Sequence, residues 1–151
     1  MKGRPFFCWL GICAVACAGC GGPTKLFLKG LEPLNVNERK ESTPVDVRVY
    51  LLRDSGKFLK ATLEDLWLND KDALGDDKIG EPRVYTVFHG DKEAPPQEVY
   101  LGELGGDVRF VGIMALYGLQ AGGGNEWRMV VPAEQASGAV FELTEYRIIK
   151  K

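Results

Sequence analysis

Apolar and polar residues alternate with a period of two through most of the chain. The clearest case is Val45, Val47, Val49 and Leu51, interleaved with Asp46, Arg48 and Tyr50, which reads as a strand with one buried face. Leu26 to Val36 precedes it as one long strand, with Gly30 or Pro33 as the place for an interruption. Further strands are expected over Val84 to Phe88, Glu98 to Leu101, Val108 to Tyr117, Trp127 to Val131 and Ala139 to Ile149, separated by clusters of Gly, Pro and Asp. Val108 to Tyr117 is apolar on both faces apart from Arg109, the pattern of a central strand. One stretch changes period. Leu59, Leu63, Leu66 and Trp67 share a face at helical spacing, Thr62 stands at an N-cap, and Asp65 completes a capping-box variant. A short helix is therefore expected from about Leu63 to Asn69, lying over one end of the sheets. Some seven strands with one small added helix predict an all-β fold, a two-sheet antiparallel β-sandwich.

The N-terminal residues follow another pattern. Lys2 and Arg4 form a short positive region, and Pro5 to Ala18 is an uncharged apolar run too short to span a bilayer as a stable helix. This is the layout of a secretory signal peptide. It ends in Ala18-Gly19-Cys20, which is similar to a lipobox, with Cys17 where such motifs generally carry Leu. Cys20 is thus the expected site of lipidation, with cleavage just before it: 1–19 signal peptide, 20–24 lipidated tether, 25–151 sandwich domain. Two alternatives stay open, an ordinary Ala-x-Ala cut leaving Cys20 as a free thiol, and cleavage before Cys17 after Ala14-Val15-Ala16. All four cysteines (8, 13, 17 and 20) lie at or before the expected cut, so the exported domain has no intramolecular disulfide and Cys20 has no partner thiol. Gly21, rather than Asp, follows the cysteine, so in a Gram-negative envelope the expected home is the outer membrane.

Charge and chemistry narrow the function. Loss of Lys2 and Arg4 leaves 17 basic against 21 acidic residues, a net charge of −4, which offers no electrostatic footprint for nucleic acid. No enzyme is expected. His89 is the only histidine and stands in a turn-like His89-Gly90-Asp91, while Ser42, Ser55 and Ser137 lack a nucleophile-elbow context. With no thiol beyond Cys20, zinc ligation and thiol catalysis lose their usual groups; no cofactor, metal or small-molecule substrate is expected. Asp70, Asp72, Gly75 and Glu81 fall at positions 1, 3, 6 and 12 of an EF-hand-like loop. Leu74 at position 5 and Pro82 after Glu81 argue against calcium and for an acidic connection. A small-ligand or ion-binding envelope lipoprotein with a similar sandwich, with Asp70, Asp72 and Glu81 as candidate ligands, remains the alternative function. Gly122-Gly123-Gly124 is followed by Asn125-Glu126, not by the Lys-Ser/Thr of a phosphate loop. The mixed-charge segment Asn37, Glu38, Arg39, Lys40, Glu41, Ser42, Thr43 and Pro44 joins the first two strands and is the candidate for partner recognition.

Several segments, in order, are similar to one family: Leu34-Asn35-Val36-Asn37; Pro44 to Leu52; Phe58 to Leu66 with Asp65-Leu66; Asp72-Ala73-Leu74-Gly75-Asp76; Val111 to Tyr117; and Trp127-Arg128. Behind a lipobox, this order resembles the outer-membrane lipoprotein of type VI secretion systems, the TssJ (SciN) family, over most of residues 31–149. The resemblance implies a transthyretin-like sandwich with an added helix, held at the periplasmic face of the outer membrane through acylated Cys20. It also implies a partner, the periplasmic C-terminal region of the inner-membrane component TssM, and gives the loop corresponding to Asn37–Pro44 a central part in that contact. The chain departs from the family after Tyr117, where Gly118-Leu119 replaces a common Arg-Asp, and its 37–44 loop is rather short.

Overall fold

The computed structural model describes residues 22–118, 124 and 126–151. The expected signal peptide and cleavage site, Cys20 and most of the 119–125 segment lie outside the described residues. Among these described residues, nine strands and three short α-helices follow in the order β1 (Thr24–Leu34), β2 (Val45–Leu52), α1 (Gly56–Lys60), α2 (Leu63–Leu68), α3 (Asp70–Leu74), β3 (Lys78–Val87), β4 (His89–Gly90), β5 (Gln97–Gly102), β6 (Phe110–Leu116), β7 (Arg128–Pro132), β8 (Val140–Glu145) and β9 (Arg147–Lys150). They form two packed sheets. One has the order β3-β2-β6-β7 with antiparallel neighbours throughout. In the other, β1 is central, with β4 and β5 along one edge and β8 then β9 along the other.

The second sheet corrects the antiparallel expectation: β1 runs parallel to β8 (Phe27↔Val140 to Leu31↔Thr144) and to β4. Period-two alternation reports which face of a strand is buried; it says nothing about the direction of the neighbour. Direction is set by the 133–139 connection, which carries the chain from β7 in one sheet to β8 in the other.

Between the sheets, Val45, Val47 and Val49 of β2 and Val111, Ile113 and Ala115 of β6 meet Leu26, Leu28, Val99, Phe141 and Leu143 in a closed apolar core. β2 and β6 also bury their opposite faces, and this is where the helices differ from the single one expected. The Thr62 capping box is present, with the Thr62 hydroxyl accepting from Asp65 N and the Asp65 carboxylate from Thr62 N. However, α2 is flanked by α1 and α3, and all three cover the outer face of the antiparallel sheet rather than one end of the sandwich. Leu59 belongs to α1 and is exposed. Phe58, Leu66 and Leu74, one from each helix, are fully buried against Tyr50, Leu52 and Met114. The Phe58 ring packs edge-on to Tyr50 at 5.4 Å and lies where a side chain on Gly112 would go, 3.0 Å from an added Cβ. Two arginines on that face hold the layer down. Arg48 donates to Leu66 O and Trp67 O, and Arg128 to Phe58 O and Ala61 O.

Other boundaries moved for local reasons. β3 begins six residues ahead of Val84, running through Gly80 (φ +68°) and Pro82 by way of a register shift against β2. Ala139 to Ile149 is two strands, because Glu145 (φ +48°) turns the chain back in a hairpin without Gly, Asn or Pro to announce it.

Candidate partner-binding loop

The 37–44 segment leaves β1 after Leu34 and returns to β2 at Val45, and it is a folded loop. Asn37 closes its tip: the side-chain oxygen accepts from Arg39 N at 2.9 Å and Glu41 N at 3.0 Å, and the amide nitrogen donates to the Glu41 carboxylate at 3.1 Å. Backbone bonds Lys40 N to Asn37 O and Asn37 N to Glu41 O complete the turn, with Lys40 at φ +62°. This is how an Asn builds a turn, by substituting its own side chain for backbone acceptors. The returning leg is tied to β1 through Leu34 N to Ser42 Oγ (3.2 Å) and Thr43 N to Leu34 O (2.9 Å).

The eight candidate residues therefore divide by role. Asn37, Ser42 and Thr43 are half-buried framework, and Pro44 is exposed where the chain enters β2. Glu38, Arg39, Lys40 and Glu41 are exposed at the tip, and none of the four has an ion-pair partner among the described residues. A rigid loop carrying two acids and two bases in succession suits a protein surface with its own mixed charges, since little order remains to be imposed on binding.

Two residues absent from the candidate set support the loop from below. Asn35 bonds Thr43, Pro44 and Gly118, and the Tyr146 hydroxyl donates to Val36 O at 2.9 Å. Asn35 stands in the family-like Leu34-Asn35-Val36-Asn37 segment, the one signal that could have found it. Nothing in the sequence pointed to Tyr146. Its ring meets Tyr117 edge-on at 6.0 Å, and the Tyr117 hydroxyl donates to Arg147 O at 2.8 Å, so burial pushes the Tyr117 phenol well above its ordinary value.

The acidic run forms no calcium loop. Asp70 and Asp72 lie in α3, and the buried Leu74 is part of the helical layer. The Lys78 ammonium, 7% exposed, lies 3.2 Å from Asp70 and 3.3 Å from Glu81. A lysine thus holds two of the three carboxylates that the ion-binding alternative needed. His89 pairs with Gly30 in β4 and approaches Glu32 at 3.5 Å. The cleft between α1 and the other helices, about 600 Å³, is open and lined by Lys57, Lys60, Asp65, Asn69 and Asp72.

A family model described as T6SS-SciN, type VI secretion lipoprotein (VasD, EvfM, TssJ), matches residues 23–148. A search of curated sequences returns no match. Among solved structures, the chain is similar to Serratia marcescens Lip, a membrane-bound component of the type VI secretion system (TM-score 0.72, 19% identity, 86% of this chain and 97% of that one). It is also similar to the T6SS lipoprotein TssJ1 of Pseudomonas aeruginosa (TM-score 0.68, 21% identity, 85% and 97%). A chain in the structure described as T6SS protein TssM C-terminal domain (869-1107) from EAEC matches at TM-score 0.69 and 21% identity, over 85% and 99%. At these identities the structural likeness carries the fold.

Proposed function

The chain belongs to the type VI secretion lipoprotein family, and on that premise we propose that it tethers a trans-envelope secretion complex to the outer membrane. In this reading, acylated Cys20 holds the protein to the periplasmic face of that membrane. The Asn37–Pro44 loop binds the periplasmic C-terminal region of TssM, and no catalysis is involved. The observation that carries the reading is the self-bonded loop with its exposed tip Glu38–Glu41. Its position adds support. β1 starts at Thr24, four residues beyond Cys20, a chain length of at most roughly 14 Å. The loop follows the far end of that eleven-residue strand, about 35 Å away at a strand rise of ~3.3 Å per residue. The start of β1, the end nearer Cys20 in sequence, and the 37–44 loop therefore stand at opposite ends of that strand, which suits a spanning link. The TssM C-terminal domain in the description of a matched structure supports the choice of partner.

Confinement to a membrane surface raises the effective concentration for a partner, so modest intrinsic affinity suffices. Several acyl chains, at roughly 0.8 kcal/mol per buried CH₂, hold firmly where one holds only marginally. The test is co-purification of the full chain, exported with its own signal and extracted in detergent, with the periplasmic C-terminal region of TssM. Replacing Asn37–Pro44 by a Gly/Ser linker is expected to abolish capture. Unchanged capture removes the loop assignment, and no capture by the unaltered protein removes the proposal. Cys20→Ser is expected to release the protein into the soluble periplasmic fraction.

A further inference from the structure

We propose that the partner-binding surface is a platform of three turns rather than one loop, and that Asn35 is the positioning residue that holds the three in register. This inference rests on the reading that the 37–44 loop binds a protein partner. The three turns are the loop tip, the chain at Gly118 as it leaves β6, and the Glu145–Tyr146 turn between β8 and β9.

Asn35 meets all of them. Its side-chain nitrogen donates to Thr43 Oγ1 at 2.9 Å and Pro44 O at 2.8 Å, fixing the returning leg of the loop. Its side-chain oxygen accepts from Gly118 N at 2.7 Å, reaching a residue 83 positions away in sequence. Its backbone N–H donates to Glu145 O at 2.8 Å, and its carbonyl accepts from the Thr43 hydroxyl at 2.6 Å. The amide orientation is fixed by its partners, because Gly118 N–H can only donate and Pro44 O can only accept. Asn35 adopts φ +43°, a left-handed conformation that Asn tolerates better than most residues, and this turns its side chain across the three segments. Tyr146 makes a second tie between the third turn and the loop through its bond to Val36 O.

The arrangement matters for recognition because the 37–44 tip bonds mainly to itself, so its own hydrogen bonds do not fix where it stands relative to the other two turns. Asn35 supplies that placement. A partner with a mixed-charge surface would touch the tip, Gly118 and the Glu145–Arg147 pair (2.7 Å) together, and the affinity should then depend on a residue that lies below the contact.

The experiment measures affinity and dissociation rate of the full chain in detergent for the periplasmic C-terminal region of TssM, with thermal unfolding in parallel. Asn35→Gly keeps the backbone conformation and removes the side-chain ties; at least a ten-fold loss of affinity, mainly in dissociation rate, is expected. A core truncation matched in Tm, such as Ile113→Val or Val49→Ala, should leave affinity within two-fold, separating placement from bulk stability. Asn35→Asp keeps the acceptor for Gly118 N but turns a charged oxygen toward Pro44 O. Its affinity, relative to the unaltered protein at each pH, should recover as pH falls from 7 to 4 and the carboxyl regains a proton able to donate. Tyr146→Phe should weaken binding in the same direction. Failure of the unaltered protein to bind overturns the underlying reading and this inference with it. If it binds and the 37–44 linker replacement abolishes binding, while Asn35→Gly and Asn35→Asp retain full affinity, the platform is overturned and the loop reading stands.

Discussion

Arg48 is expected to be the main fastening of the helical layer, and the strength of that fastening can be worked out. Its Nη1 donates to Leu66 O and Trp67 O, both at 3.0 Å, and its guanidinium lies 4.0 Å from the centroid of the Trp67 ring. Both acceptors stand at the C-terminal end of the six-residue α2, where carbonyls run out of intrahelical donors. A hydrogen bond from a charged donor nets about 1.5–3 kcal/mol, but the two here share one nitrogen and do not add fully. The stacked cation contributes roughly 0.5–1 kcal/mol at a half-exposed site. Two effects reduce the loss on Arg48→Met. Leu66 O keeps the Tyr50 hydroxyl at 2.8 Å, and the substitution removes a buried Arg48 Nε that has no hydrogen-bond partner among the described residues. The net destabilisation is about 2 kcal/mol, or roughly 6–10 °C in Tm for a domain of this size. Urea unfolding followed by tryptophan fluorescence gives the free energy, and hydrogen exchange locates it: amides of α2 and α3 should lose protection before those of β6. Arg48→Lys retains charge but not the planar stack and should fall between the two. A change below about 0.5 kcal/mol for Arg48→Met, or full stability for Arg48→Lys, would refute this account.

Two further outcomes follow from the same layer and from the buried phenols. Gly112→Ala would place a Cβ 3.0 Å from both the Phe58 ring and Leu52; overpacking of about 1–3 kcal/mol should exceed the ~0.5–1 kcal/mol gained from a less flexible unfolded chain, so Tm falls, whereas relief by Phe58→Leu in the same chain restores part of it. Stability should also fall at high pH. Burial pushes the Tyr50 hydroxyl up to about 12 and raises Tyr117 as well, so both stay protonated in the fold after the unfolded chain begins to ionise near pH ~10. Their contribution is complete below that pH and is lost as pH rises through the folded values, at roughly 1.4 kcal/mol per pH unit for each phenol. Chemical unfolding at pH 9, 10 and 11 tests the sign, and Tyr117→Phe should flatten the dependence; a flat profile in the unaltered protein would sink the argument.

Much of this fold was legible because burial leaves a periodic trace. β2 is legible from its alternation and β6 from the run Val108 to Tyr117, apolar on both faces apart from Arg109, and the Thr62–Asp65 capping box marks the start of α2. Elements too short to repeat their period left no such trace. The five-residue α1 and α3 are too brief to display a face, and two-residue β4 is defined only by its neighbours Gly30 and Leu31. The pairing of β1 with β8 was invisible for a different reason, since strand direction is a property of connections rather than of composition.

The candidate loop shows where sequence reasoning stops. Its charged tip, Glu38 to Glu41, is readable as solvent-exposed from composition, but exposure does not distinguish a recognition surface from an ordinary loop. What the sequence hides is the hydrogen-bonded base of this loop, built from Asn35, Ser42, Thr43 and Tyr146. Ser and Thr ahead of a strand and a tyrosine in a C-terminal hairpin carry no local signature of such a role. Their bonds exist because β1 lies between β8 and the edge strands, which brings the Glu145–Tyr146 turn beside Val36, and because β6 ends beside β2, which brings Gly118 beside Asn35. Register decides which polar side chains meet at the end of a sandwich. For that reason the family resemblance could point to the loop, while only the packed strands could show what holds it still.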